Sequence, residues 1–493
     1  MGSWPRTFVL PEPTDGSPTF LRIARAVADE VRRGRLGPGE RLPGSRELAQ
    51  MLGVHRNTAL AAYRELAAEG WIDALAARGT FVSHDLPERA ARPFARTVAA
   101  RAEVPSRAGF DFQSPIEAPP VAADPRLLVL RGGQPDLRLV PVDALARAYR
   151  RALRTPGRAV LGYGDPRGTL RLREALAAML SATRGVAARA DDVLITRGSQ
   201  MAFDLLARSL IAPGDVVVVE SFGYRPAWRS LALAGAKLVS VPVDERGADV
   251  DAIARIVRAR RVRAIYLTPH HQYPTTGVLA PGRRLALLEL ARTARVPIVE
   301  DDYDHEFHYE GRPVLPLASA DRAGVVLYLG SLSKILAPGL RLGYVVGPRS
   351  VVDALTALRA HVDRQGDHAI EHAVAELLED GEVQRHARRA RAAYAERRDV
   401  LADALEHALG GVVSFRRPPG GTALWARVDP SVDVERWQER ARAAGVDFQT
   451  GRAFTFDGRA RPFARLGFAA LRPDELRDAV ARLRTALASV RRA

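Results

Sequence analysis

The sequence predicts an α/β protein in two parts. A small helical module with a hairpin wing comes first, followed by a large domain built on a mostly parallel sheet covered by helices. Three observations lead there. A chain of 493 residues exceeds what one ordinary core holds, so two or more domains are required. Residues 18–84 alternate short amphipathic helical patterns with Gly and Pro punctuation. From about residue 126 onward, apolar runs of strand length (DVVVVE, AKLVSVPV, RAIYLTP, VPIVEDD, VVLYLGS) alternate with helical stretches. Strands that apolar are buried on both faces, as in a parallel sheet. The boundaries expected are 1–84 for the first module, 85–125 for a linker and 126–493 for the large domain.

The totals exclude several classes. Hydrophobic content of 47% and charged content of 26% are those of a chain that folds. There is no cysteine, which removes disulfides, thiolate metal sites and cysteine nucleophiles, and no residue is assigned to a metal. No basic start with an apolar run of signal length opens the chain, and no apolar run reaches membrane-span length. A cytoplasmic protein without membrane contact is the expectation. A formal charge of +16 favours a polyanionic partner.

The first module reads element by element. In TFLRIARAVADEVRRG, Phe20, Ile23, Ala24, Val27, Ala28 and Val31 share one helix face and Gly34 closes it. PGERLPGSRELAQMLG starts a second helix near Ser45, an N-cap residue, and ends it at Gly53. VHRNTALAAYRELAAEG gives a third, with Leu60, Tyr63 and Leu66 inward. WIDALAARGTFVS then supplies two short strands around a turn. This order is a helix-turn-helix with a wing, in which the first turn of the last helix reaches base edges.

RLPGSRELAQMLGVHRNTALAAYRELAAEGWI…RGTFV resembles the DNA-binding domain of GntR-family transcription regulators. The resemblance implies contact with double-stranded DNA by Arg46, Arg56, Asn57 and Thr58, with Gly79 shaping the wing tip and Arg78 beside it. His55 stands where the family more often has serine. The module's own balance, 11 arginines against 9 acids through residue 84, is mild, so order and spacing carry this reading rather than net charge. The plainer alternative is a helical interaction domain with a solvated arginine face.

Residues 85–125 are rich in Ala, Arg and Pro without an apolar period, although 93–102 has the composition for a turn or two of helix.

In the large domain the informative residue is a lysine. Only Lys237 and Lys334 break a chain whose other basic residues are arginine. Lys334 follows a strand in SLSKILAPGLRLGY. An amine there forms a Schiff base with an aldehyde, which a permanently protonated guanidinium does not. Its companions fit pyridoxal 5′-phosphate. VPIVEDDYDHEF ends a strand on Asp301, Asp302 and Tyr303, supplying a carboxylate for a protonated ring nitrogen and a phenol for the ring oxygen. ITRGSQMAFDLLA opens a helix with free N–H groups and Ser199, a phosphate site. Ser331 and Arg341 add a hydroxyl and a guanidinium, and Tyr224 in ESFGYRPA offers a ring to stack. Each is weak alone; in this order, each after a strand, they reinforce one another.

This region resembles the fold-type I, aspartate-aminotransferase-like enzymes, and its fusion to a GntR head resembles the MocR-type regulators. YLTPHHQYPTTGVL, EDDYDHEF, SLSKILAPGLRLGY and ARLGFA carry the likeness. It implies a smaller C-terminal α+β subdomain and a homodimer. By the same likeness Lys334 is the cofactor-linked amine, Asp301 the ring-nitrogen partner and Tyr303 the ring-oxygen partner. Gly198, Ser199, Gln200, Ser331 and Arg341 hold the phosphate, Tyr224 stacks, and His271 or Tyr273 lies near the ring. Arg465 binds an amino-acid carboxylate. The implied function is a regulator sensing pyridoxal phosphate or a small amino compound; the alternative is an active aminotransferase with a DNA-binding head.

Overall fold

In the first module, apolar residues at i, i+3 and i+4 shape the packing. The computed structural model describes residues 17–75, 79–87, 107–111, 126–311 and 314–491. Helix α1 (Thr19–Arg32) buries Ile23, Ala24, Val27, Ala28 and Val31. Helices α2 (Ser45–Leu52) and α3 (Arg56–Ala68) follow, and α3 packs on both α1 and α2. Ser45 is the first helical residue rather than the cap: Gly44 takes the cap position and its N–H donates to Glu47 at 3.3 Å. Gly53 ends α2 with φ 64°. On α3 the inward residues are Ala59, Ala62, Tyr63 and Leu66, with Leu60 only half-buried. Tyr63 and Leu66 are inward as expected, and Ala59 and Ala62 complete the face in place of Leu60. The wing is a three-stranded sheet in which Gly79–Val82 lies between Arg41–Leu42 and Ile72–Leu75. Arg78 and the 93–102 stretch lie outside the described residues.

By internal contacts the chain divides at Ala118/Pro119. In the second unit the five apolar runs form strands of one seven-stranded sheet. Its spatial order is Val193–Thr196, Gly343–Val346, Val326–Ser331, Ile298–Asp302, Val262–Leu267, Val216–Glu220, Lys237–Val241. Only Gly343–Val346 runs antiparallel to its neighbours. Both faces are covered. Val217 and Val219 pack with the helix Gly198–Leu210, while Val218 points the other way against Ile253 and Leu287. A second, antiparallel sheet (Val413–Phe415, Ala423–Val428, Phe463–Gly467, Gln449–Thr450) forms the smaller α+β part. It packs on Glu382–Leu409, Val434–Ala443 and Pro473–Arg491 around Trp437, Phe448 and Phe468.

Candidate functional site

The carboxyl ends of the parallel strands face one cavity of ≈ 220 Å³, where open α/β sheets bind ligands. Ser199, Gln200, Tyr224, Asp301, Tyr303, Ser331, Lys334 and Arg341 all line it, together with Gly132, Gly133, Tyr273, Ser333 and Pro338.

Strand pleat decides which carboxylate of the Asp301–Asp302 pair enters. Asp301 turns toward the cavity and accepts a hydrogen bond from Tyr266 Oη at 3.0 Å. Asp302 turns to the opposite face, where Tyr328 Oη donates to it at 2.7 Å. Burial pushes the Asp301 carboxyl up to about 7, so it gains from a cationic partner. Asp302 is held low despite its burial, chiefly by the adjacent His305, whose Nδ1 lies 2.9 Å from it, with the charge of Arg184 adding to this.

Lys334 Nζ donates to the Gly133 carbonyl. Burial, then the positive charge of Arg465, lowers its pKa to about 8, against the pull of Asp304 and Asp301. The other lysine, Lys237, is exposed at the start of an outer strand. The phenol of Tyr303 is pushed well up by burial, so it stays a hydrogen-bond donor. Tyr224 and Tyr273 meet edge to face at 5.5 Å, and Tyr273 and Tyr303 at 5.7 Å.

One end of the cavity is the start of the helix Gly198–Leu210, whose first-turn N–H groups have no partner within the helix and could take an anion. Gly198 has φ 72°, and a Cβ there would stand 2.7 Å from Arg341 Nη2. Arg341 Nη2 donates to the Arg197 carbonyl at 3.0 Å, which holds the guanidinium over this turn. The Gln200 amide is committed elsewhere, donating to Ser230 Oγ at 2.8 Å. Its contribution to an anion is therefore its backbone N–H.

Arg465 lies on Phe463–Gly467 with no exposure at all. Its Nε, Nη1 and Nη2 have no hydrogen-bond partner among the described residues, and its Cζ sits 4.6 Å from the Tyr273 ring. A Cβ on Gly132 would fall 1.8 Å from Nη1. Glycine there lets the cavity wall and the guanidinium touch. An unpaired buried charge costs several kcal/mol, which a carboxylate ligand would offset.

His271 does not line the cavity. It is fully buried, and its Nδ1 lies 2.7 Å from Asp304 Oδ1. Tyr273, the other candidate, occupies the wall. Residues two apart on a loop cannot be told apart by periodicity, and Asp304 decides the case by taking the imidazole. The contributions of Gly132 and Ser333 went unread; the doubled glycine in RGGQPD was the available signal.

On the first module, Arg46, Arg56 and Asn57 are exposed and Thr58 is half-buried. The N-cap of α3 is His55, whose Nδ1 accepts from the Asn57 N–H at 3.2 Å. An imidazole thus fills serine's capping role. Arg46 and Arg56 have no interaction partner among the described residues. Gly79 (φ 117°) opens the returning wing strand beside Arg41.

Residues 19–82 match the family described as bacterial regulatory proteins, gntR family, and residues 126–483 match aminotransferase class I and II. A helix-turn-helix head joined to an aminotransferase fold defines a class of two-part transcription regulators. This chain belongs to it, as a member of the MocR-type subfamily of GntR regulators. It is 32% identical to the probable rhizopine catabolism regulatory protein MocR of Rhizobium meliloti, over 95% of this chain and 94% of that protein. It is 34% identical to the HTH-type transcriptional regulator TauR of Rhodobacter capsulatus, over 94% and 96%. Among solved structures, LysN, the α-aminoadipate aminotransferase of Thermus thermophilus complexed with N-(5′-phosphopyridoxyl)-L-leucine, superposes with a TM-score of 0.70 and 30% identity. That match covers 75% of this chain and 94% of that one.

Proposed function

We propose that this regulator holds pyridoxal 5′-phosphate in the large-domain cavity. We further propose that it senses that cofactor, free or joined to a small amino compound, to alter how its heads sit on duplex DNA in the cytoplasm. The observation that carries the reading is Lys334, an amine of lowered pKa in the same cavity as an unpartnered helix start.

The residues suit the group. When bound, pyridoxal phosphate supplies a carbonyl that condenses with a primary amine and a ring that withdraws electrons. Lys334 provides the amine, and burial keeps a useful share of it neutral near pH 8. Asp301, buried and in want of a cation, neutralises a protonated ring nitrogen. Tyr303 donates its hydroxyl, and Tyr224 and Tyr273 wall off water. The N–H groups of Ser199 and Gln200, with Ser331 and Arg341, hold the phosphate. Arg465 holds the carboxylate of an incoming amino compound. Arg46, Arg56, Asn57 and Thr58 read DNA, with Gly79 at the wing. The domain limits 1–84, 85–125 and 126–493 remain the working division. A homodimer is favoured by the exposed apolar residues Leu137, Val142, Leu161, Tyr163 and Leu170 between positions 137 and 170.

The test titrates pyridoxal phosphate and amino acids against the full chain on a selected operator duplex. Affinity shifts in wild type, and in Arg465→Gln the response to carboxylate-bearing amines disappears while cofactor retention persists. Operator affinity that ignores every such ligand defeats the proposal. A second reading, an active aminotransferase, is favoured by the complete residue set with Lys334 and Arg465; multiple-turnover transfer from amino donor to keto acceptor would establish it.

A further inference from the structure

The opposite face of the Ile298–Asp302 strand carries a cluster that the cofactor reading leaves unused. Asp302, His270 and His305 are all buried, and each offers a ligand atom such that all lie within 4.8 Å of one another. The His270 and His305 rings stack with centroids 4.5 Å apart. His305 Nδ1 stands 2.9 Å from Asp302 Oδ2. Among the described residues, neither nitrogen of His270 has a hydrogen-bond partner, nor do Asp302 Oδ1 and His305 Nε2.

Buried imidazoles ordinarily satisfy at least one nitrogen, because an orphaned buried donor loses its water without gaining a partner. Neighbouring His271 does so through Asp304. His270 does not, and beside it His305 Nε2 and Asp302 Oδ1 are also without a hydrogen-bond partner among the described residues. We infer that His270, His305 and Asp302 form a site for a divalent first-row transition metal of the zinc type. Two imidazoles and one carboxylate are the donor set such ions take, whereas calcium and magnesium prefer oxygen alone. Tetrahedral metal–ligand bonds of about 2 Å separate ligand atoms by about 3.3 Å, so the three side chains would draw together from their separation of up to 4.8 Å. The nearby Arg184 does not fill the place of the cation. Its guanidinium donates to Glu306 and to the hydroxyls of Tyr328 and Tyr344.

There is also a way in. His305 and His308 stand on the wall of a separate cavity of ≈ 200 Å³, alongside Glu306 and Gln384.

Occupancy would tie two loops together. His270 lies on the segment that brings Tyr273 to the cofactor cavity, and His305 on the one that brings Tyr303. A metal there braces the cavity wall from behind, and its loading is linked to cofactor retention.

The experiment uses the tag-free full chain, stripped with chelator, given zinc chloride, passed through gel filtration and assayed for bound metal. One zinc per chain is expected in wild type and in His361→Ala, an exposed control. In His270→Ala and His305→Gln, retention against a chromophoric chelator falls about tenfold or more. Thermal melting reports whether each variant folds. If either does not, X-ray absorption on zinc-loaded wild type replaces it, and two imidazole ligands are required. No stoichiometric zinc in wild type, undiminished retention in both folded variants, or fewer than two imidazoles at the ion would overturn the assignment.

Discussion

Lys334 shows how much one residue's setting controls. Only the neutral amine attacks a carbonyl, and burial with the Arg465 charge brings the Lys334 pKa to about 8. Covalent attachment of pyridoxal phosphate to the cofactor-free chain therefore speeds up as pH rises through about 8 and levels off above. Stopped-flow absorbance across a pH series checks this. A midpoint near the ordinary lysine value of about 10.4 would contradict it. Replacing Arg465 by Gln removes a cationic neighbour and moves the midpoint upward. Part of this site was readable from residue type, an amine among arginines, and part from the family likeness, which points to Asp301 rather than Asp302. What escaped was choice among neighbours. His271 or Tyr273 was settled by Asp304, which lies 33 positions further along the chain, and no local pattern encodes that contact.

At the scale of elements, two turns are poised on single residues. Alanine at Gly198 must hold a left-handed φ, at about 1–2 kcal/mol, and its methyl displaces Arg341. The expected result is at least a tenfold loss in affinity for pyridoxal phosphate, measured by equilibrium dialysis, with a small drop in melting temperature. Unchanged affinity would separate this turn from the anion site. His55→Ala removes the α3 cap and costs the head about 1 kcal/mol, seen as an earlier melting transition, while His55→Ser keeps it close to wild type. The apolar strands were legible because burial on both faces leaves a run without alternation. The antiparallel Gly343–Val346 was not, since buried strands read alike in either direction. The inward Ala59 and Ala62 of α3 escape the pattern for another reason: alanines pack inward without announcing themselves as hydrophobic.

For the molecule as a whole, the two-part organisation separates two activities. Arg56→Ala is expected to weaken operator binding by about 1–3 kcal/mol, measured by fluorescence anisotropy, while pyridoxal phosphate retention stays the same. A parallel loss of cofactor would mean that the domains are not divided as described. The order of helices and wing was readable because helix caps and glycines punctuate it. The charge of the head is mild, so the reading of it as a DNA-binding module rests on the order of its helices and wing rather than on a basic field.

The scarcity of primary amines gives this protein an unusual handle. Apart from the chain's own α-amino group, a reagent that acylates amines finds one solvent-facing target, Lys237, and one sheltered target, Lys334. Fluorophores or cross-linkers of that chemistry would decorate the α-amino group and a single outer strand, and a tag at Lys334 itself would register an emptied pocket. Occupancy becomes countable, molecule by molecule.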